Sequence, residues 1–325
     1  MRALVVTDHR VEVQDRPDPE PGPGEVLVRV HGAGLNRGDL AQRAGFYPGP
    51  PGSPPDVPGL ELAGEVVGHG PGVDAPVLGT RVFGVVGGGA QAELVTVPVG
   101  QCAAVPDGLD LVCAGGVPEV FVTAHDALVT IASAARGETM FVPAVGSGVG
   151  TAAVQLGKAM GLAVAGSSRT QEKLDAATAL GLDHALLAPR DFDPVAFAGR
   201  LADAAGPVDV ALDLVGGDYL TAEVRAAALR GRIVLIGNLA GRAVELDIGA
   251  TMVKRLRIAG TVLRPRSPDE KADATRGFAR DVVPLLADAT VQPIVARTYP
   301  LADAPAAYEA LAADEVFGKI VLACA

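Results

Sequence analysis

The stretch PAVGSGVGTAAVQLGKAMG, residues 143–161, decides the fold. It closes an apolar strand-like segment at 139–145 and opens a segment with helical apolar periodicity at 149–160. A strand that turns through small residues into a helix is the context of a dinucleotide-binding turn. The physical demand is close approach. A pyrophosphate must reach backbone N–H groups at a helix N-terminus, where the peptide dipoles favour an anion. Gly146, Ser147, Gly148, Val149 and Gly150 leave that room. A strict G-x-G-x-x-G is absent, because Thr151 takes the last glycine position counted from Gly146. The surrounding alternation therefore carries the reading.

Downstream of the turn, strands are expected at 162–167, 184–188, 208–214 and 232–237, with helices at 171–180, 194–204 and 218–229. LRIAGTVL, residues 256–263, reads as one more strand, and 122–136 as a helix leading in. Strands and helices alternating at this spacing predict a doubly wound parallel sheet. Upstream, short apolar segments (Ala3–Thr7, Val26–Val30, Ala63–Val67, Arg81–Val86, Ala92–Val97) are divided by Gly/Pro turns, the texture of a compact barrel-like β domain. The tail from 268 has helical stretches and ends in a strand, Lys319–Ala323, expected to return to that β domain. The expected domains are 1–121 with 268–325, and 122–267.

A chain of 325 residues suits two such domains, and a hydrophobic content of 49% gives each a core. The net charge of −11 comes with no basic run, which argues against nucleic acid and anionic membranes as partners. No apolar run is long enough to span a bilayer. MRALVVTDHR, at residues 1–10, enters a strand-like alternation without a signal-type apolar core. Cys102, Cys113 and Cys324 lie too far apart for a disulfide framework or a CxxC pair. A cytoplasmic location is expected on these grounds.

The dinucleotide is read at the end of the second strand of the alternation. An acid roughly 20 residues past the turn holds the ribose 2′-OH of NAD. Here AGSSRT, residues 165–170, puts Ser167, Ser168 and Arg169 at that place, with Lys173 following. Hydroxyls and a guanidinium bind a 2′-phosphate that a carboxylate would repel. NADPH is the expected cofactor. The alternative for these residues is a Ser167 helix cap and a solvated Arg169.

Several segments, in collinear order, resemble the medium-chain dehydrogenase/reductase superfamily and its quinone oxidoreductase branch. They are LNRGDLAQRAGFYPGPP at 35–51, PGLELAGEVV at 58–67, GTRVFGVVGGGAQAELVTVP at 79–98, VPEVFVTAHDAL at 117–128 and FGKIVL at 317–322. The resemblance implies an α/β fold with a GroES-like β-rich catalytic domain and a Rossmann cofactor domain, active as a homodimer paired through strand 256–263. Zinc-dependent members place a Cys in the first motif and Gly-His-Glu in the second. This chain has Leu35–Asn36 and Gly59–Leu60–Glu61 there, lacks the cysteine-rich structural lobe, and has no histidine in ligand spacing. No metal is expected. A Tyr that many quinone reductases carry after the third Rossmann strand is also missing from HALLAPRDF, at 184–192.

By the same resemblance, Asn36 and Tyr47 face the nicotinamide and are the catalytic candidates; the alternatives are a turn or cap role for Asn36 and an ordinary packed ring for Tyr47. Thr123, Gly237, Asn238, Val262, Leu263, Phe317 and Lys319 are further cofactor contacts. Tyr47 lies in GFYPGPPGSPPDVPG, residues 45–59, a stiff loop that holds a side chain at low entropic cost. Asp39 reads as a helix cap or as a local partner of an Arg. Without a Lewis acid, hydride transfer suits an electron-poor acceptor, a quinone or an enone. Two alternatives stand beside that reading. One is an enoyl-thioester reductase, for which Arg264 and Arg266 would form a basic patch toward a phosphopantetheine arm. The other is an NADPH-binding sensor or structural protein with vestigial catalysis.

Overall fold

The computed structural model describes all 325 residues. By internal packing they form two units, Met1–Val122 with Leu263–Ala325, and Thr123–Val262.

The first unit is β-rich. It holds β1 (Arg2–Thr7), β2 (Arg10–Asp15), β3 (Glu25–Gly34), β4 (Glu61–His69), β5 (Arg81–Val85), β6 (Leu94–Pro98) and β7 (Cys102–Ala104). Alternation is clearest in β3, where Val26, Val28 and Val30 are fully buried while Arg29 is exposed. That period of two sends one face to the core and one to solvent. The core continues through Leu62, Val66, Val82 and Val97 to Tyr308 and Ile320.

The second unit contains β8 (Thr139–Val142), β9 (Ala163–Ser168), β10 (His184–Leu187), β11 (Val208–Asp213), β12 (Ala227–Leu235) and β13 (Arg257–Gly260). All six pair parallel, in the order β10-β9-β8-β11-β12-β13. Helices Gly148–Met160, Gln171–Ala179, Pro194–Ala205 and Asp218–Ala226 connect them. Strand order reverses between β8 and β11, the switch point where open α/β sheets gather ligands.

The last strands, β14 (Val295–Pro300) and β15 (Lys319–Ala323), rejoin the first unit. β15 pairs antiparallel with β3, giving β14-β15-β3-β4-β5-β7 with β6 also on β3.

Three elements differ from their sequence reading. The helix expected over 122–136 begins at Pro118, passes into a π-helical turn at Asp126–Ile131 and stops, because Ser133 adopts φ 48° and Ala134 N–H turns back to Leu128 O. The helix expected over 218–229 ends at Ala226, where β12 takes over. The strand expected over 256–263 is only Arg257–Gly260, since its partner β12 ends at Leu235, whose carbonyl takes the closing bond from Thr261 N–H.

Candidate active site

In the second unit the turn after β8 lies at the switch point. Ala144 takes φ 53°, and Ser147 caps the helix Gly148–Met160, its Oγ accepting from Gly150 N–H at 3.1 Å. The N–H groups of Gly148 and Val149, in the first helical turn, are left for an external acceptor. Gly150 is there for packing: a Cβ on it would stand 2.5 Å from Ala144 O. At Gly146 a Cβ would meet Lys173 Cδ at 2.9 Å. The structure thus lays the Lys173 side chain along the turn and brings two sequence candidates together.

The three residues at the end of β9 separate. Ser167 is fully buried, and its hydroxyl donates to Tyr219 Oη at 3.0 Å. Its hydroxyl hydrogen is thus used inside the unit, and it does not cap the helix. The cap is Thr170, which accepts from Lys173 N–H at 3.4 Å. Ser168 is also buried, its Oγ 3.5 Å from Thr170 N. Arg169 is exposed beside them. At the end of β12, Gly237 lies so close to Leu214 O that a Cβ would stand 2.2 Å from it, and Asn238 is exposed. Thr123 is half-buried and Val262 is 50% exposed.

The first unit holds a second cluster, and the sheet order builds it. Asn36 follows β3, Glu61 begins β4 and Lys319 begins β15, so three adjacent strands place them at one end. Glu61 is fully buried and Lys319 is 4% exposed. Lys319 Nζ donates to Leu35 O at 2.6 Å and Asn36 Oδ1 at 2.6 Å, and pairs with Glu61 Oε1 at 2.7 Å. Asn36 Nδ2 donates to Glu61 Oε1 at 2.9 Å and Gly34 O at 3.3 Å. Glu119 N–H donates to Glu61 Oε2 at 2.8 Å.

An ammonium has three hydrogens, and all three of Lys319 are used inside the unit. Both amide hydrogens of Asn36 are likewise engaged, so Asn36 holds the cluster together. Asp39 is the cap expected of it, accepting from Asn36 N–H at 2.8 Å, and it also takes Gly59 N–H at 3.1 Å. Burial pushes its carboxyl up to about 6.

Tyr47 packs over Gly38, where a Cβ would lie 3.2 Å from its ring. The Arg264 guanidinium sits 4.7 Å from the ring centroid and donates to Tyr47 O, Gly87 O and Gln42 Oε1 at 2.6–2.8 Å. Arg264 is 2% exposed, so it props the loop and cannot form the surface patch expected of it. The Tyr47 hydroxyl is pushed up to about 12, first by burial and then by Glu119. Leu263 is buried and Phe317 half-buried.

Glu119 was missed in the sequence. It is half-buried at the start of helix Pro118–His125, and its carboxyl has no hydrogen-bond partner. Burial, then the Glu61 carboxylate, push it up to about 8. The PE dipeptide at 118–119 looks like an ordinary helix start, and only the fold reveals that Glu61 lies beside it.

With both clusters described, their relatives can be set against them. Sequence models match in both units: the alcohol dehydrogenase GroES-like domain over residues 22–107 and zinc-binding dehydrogenase over 148–278. The quinone oxidoreductase of Thermus thermophilus, solved free and with NADPH, is 32% identical, with a TM-score of 0.83 over 99% of this chain and 100% of that one. The chain belongs to the medium-chain dehydrogenase/reductase superfamily. Within it the chain is quinone oxidoreductase-like. Acryloyl-coenzyme A reductase of Metallosphaera sedula is 29% identical over 99% of both chains. A polyketide synthase of Streptomyces halstedii is 34% identical over 92% of this chain. The chain spans only about one-twentieth of that synthase's length, 5% of it.

Zinc, which the second family description implies, does not fit these residues. Asn36 and Leu60 stand where the metal-binding motifs have Cys and His, and no three His, Cys, Asp or Glu side chains group to hold a metal. A cation already sits on the remaining carboxylate, Lys319 on Glu61. A dication there would face an ammonium at contact distance, which Coulomb repulsion in a buried site forbids.

The raised Glu119 carboxyl gives a pH prediction. In the native state it keeps a proton that the unfolded chain loses at ordinary carboxylate pH. The unfolded state then binds fewer protons, so stability falls as pH rises from about 4.5 to about 8. Thermal melts across this range should show Tm declining in wild type and less steeply in Glu119→Gln. Parallel curves would show that Glu119 ionises normally.

Proposed function

We propose that this chain catalyses NADPH-dependent reduction of quinones or other activated enone acceptors without a metal. The observation that carries this reading is the Asn36–Glu61–Lys319 cluster, whose side chains are engaged with one another and with an ammonium and offer no ligand set for a Lewis acid. An acceptor must then be electron-poor by itself.

The turn at Gly146–Gly150, with Lys173 along it and Arg169 nearby, fits a dinucleotide that carries an extra phosphate. NADPH, when bound, supplies the hydride. The remaining task is to stabilise and protonate the oxyanion that develops on the acceptor. Tyr47 holds its hydroxyl protonated at any physiological pH, and Glu119 holds its carboxyl largely protonated at neutrality. Both are suited to donate a hydrogen bond or proton. Asn36 and Lys319 keep Glu61 fixed beside them.

A second reading, reduction of an enoyl thioester, is favoured by the likeness to acryloyl-coenzyme A reductase and to the polyketide synthase. Its chemistry is the same, addition of hydride to an activated C=C bond. Purified protein assayed with NADPH against ortho-quinones, para-quinones, simple enones and crotonyl-coenzyme A separates the two. In the same panel, Tyr47→Phe should lower kcat about 10²–10³-fold on enones, less on quinones, with Tm unchanged. If Tyr47→Phe is silent and Glu119→Gln carries the loss, the proton comes from Glu119.

For the cofactor, kcat/KM should favour NADPH over NADH by about tenfold or more, since one charge-assisted phosphate contact is worth roughly 1.5–3 kcal/mol. Lys173→Ala and Arg169→Ala should each erode that ratio. Equal values for the two cofactors in wild type would sink the assignment.

A homodimer paired through β13 belongs to the same proposal. β13 is the outer strand of its sheet, and the helix leading into it exposes Ile248, Met252 and Val253 at 65–79%. An open strand edge beside apolar surface favours pairing with a two-fold mate. Light scattering should give twice the 32.8 kDa chain mass. A monomer mass would refute it.

A further inference from the structure

At the opposite end of the parallel sheet from the dinucleotide turn, the strand starts converge on a cavity of about 440 Å³. It is lined by Ala132, Ser133, Glu138, Arg230, Arg232, Arg255 and Arg257. Four arginines against one glutamate leave a local charge of +3, in a chain whose net charge is −11.

The arginines arrive by a repeated pattern, RGRI at 230–233 and RLRI at 255–258. β12 and β13 pair in register, Arg232 beside Arg257 and Ile233 beside Ile258. Like charges placed side by side on adjacent strands repel. Only Arg232 is neutralised: it donates to both oxygens of Glu138 at 3.0 and 2.5 Å and to Ala132 O at 2.9 Å. Arg230, Arg255 and Arg257 are exposed and make no ion pair. One guanidinium is thus held rigidly, and three are free to close on a ligand.

The backbone points the same way. Ser133, Arg230 and Arg255 adopt φ 48°, 63° and 53°. This left-handed region favours glycine, and side chains there are tolerated at a cost. Three of the eight non-glycine residues with positive φ therefore line one cavity. At two of them the chain keeps an arginine where glycine would relax the backbone. At Arg255 the left-handed turn also closes the helix Ile248–Lys254; at Arg230, within β12, no helix end accounts for it.

We propose that this cavity binds a compact, multiply charged anion, namely pyrophosphate or the phosphate ester of a small molecule. Guanidinium forks match phosphate oxygens in pairs. The acidic remainder of the chain repels an extended polyanion at longer range, which selects a small ligand.

The test uses full-length protein saturated with NADPH, so that the dinucleotide turn is filled, and inorganic pyrophosphate as the probe at constant ionic strength. Calorimetric titration should show saturable binding, and melting should show a matching rise in Tm. The double variant Arg230→Gly/Arg255→Gly should bind pyrophosphate about tenfold or more weakly. Its own Tm should equal or exceed that of wild type, because glycine relieves both left-handed positions. Should that variant fold poorly, Arg257→Gln gives the same reading, provided its mass by light scattering matches wild type, since β13 is also the strand proposed for dimer pairing. Wild type without saturable binding, or a variant with undiminished affinity, overturns the proposal. So does a variant whose only change is loss of the dimer mass, since the arginines would then serve subunit contact.

Discussion

The buried Glu61–Lys319 pair is the constraint around which the first unit is organised. Taking two charges out of water is costly, and their attraction offsets it only when every remaining donor and acceptor is matched. Here the matching is complete. Leu35 O and Asn36 Oδ1 take the other ammonium hydrogens, while Asn36 Nδ2 and Glu119 N–H serve the carboxylate. These contacts tie β15, β3 and β4 together at one end of the sheet. They also require Gly34, where any Cβ would stand 2.2 Å from Glu61 Oε1. Removing one member of such a pair typically costs about 3–5 kcal/mol, because the other charge is left buried and alone.

The same burial sorts the neighbouring groups by proton affinity. Asp39 is pushed up to about 6 and is mostly ionised at neutrality, in keeping with its cap to two N–H groups. Glu119, whose carboxyl faces the Glu61 carboxylate and makes no hydrogen bond, is pushed up to about 8. Tyr47, between the Arg264 guanidinium and the protein interior, is pushed up to about 12. At neutrality Asp39 is thus mostly charged while Glu119 and Tyr47 beside it stay mostly neutral. Groups whose environments pull their proton affinities apart are the raw material of acid–base chemistry.

The fold was legible in the sequence where the determinants are local. The Gly146–Gly150 turn, the strand–helix alternation and the period-two pattern at Val26, Val28 and Val30 depend on neighbours a few residues away. The candidate site was legible only in part, for a physical reason. Asn36, Glu61 and Lys319 are brought together by strand pairing across 283 residues between Asn36 and Lys319, and nothing local announces it. Lys319 therefore read as a cofactor contact when its ammonium is consumed by the fold. Ser167 read as a phosphate ligand because its hydroxyl is the right chemistry at the right distance from the turn. Whether a residue at a strand end faces ligand or core depends on what packs over it, and here Tyr219 packs over it. Arg264 shows the same limit: a charge in a polar segment reads as surface until a ring is found beneath it.

The two ends of the parallel sheet face opposite electrostatic problems. At the C-terminal end of β8 the following helix presents its N-terminus, so small residues and backbone N–H groups suffice to hold a phosphate. At the other end helices present their C-termini, whose carbonyls repel an anion and attract cations. Lys254 shows this directly, donating to Val224 O and Arg225 O at the close of the helix Asp218–Ala226. A phosphate held there cannot rely on backbone dipoles, and side chains must supply the positive potential against them. On the proposal made above, one end of the sheet works through glycines and backbone N–H groups, and the other through a set of guanidiniums.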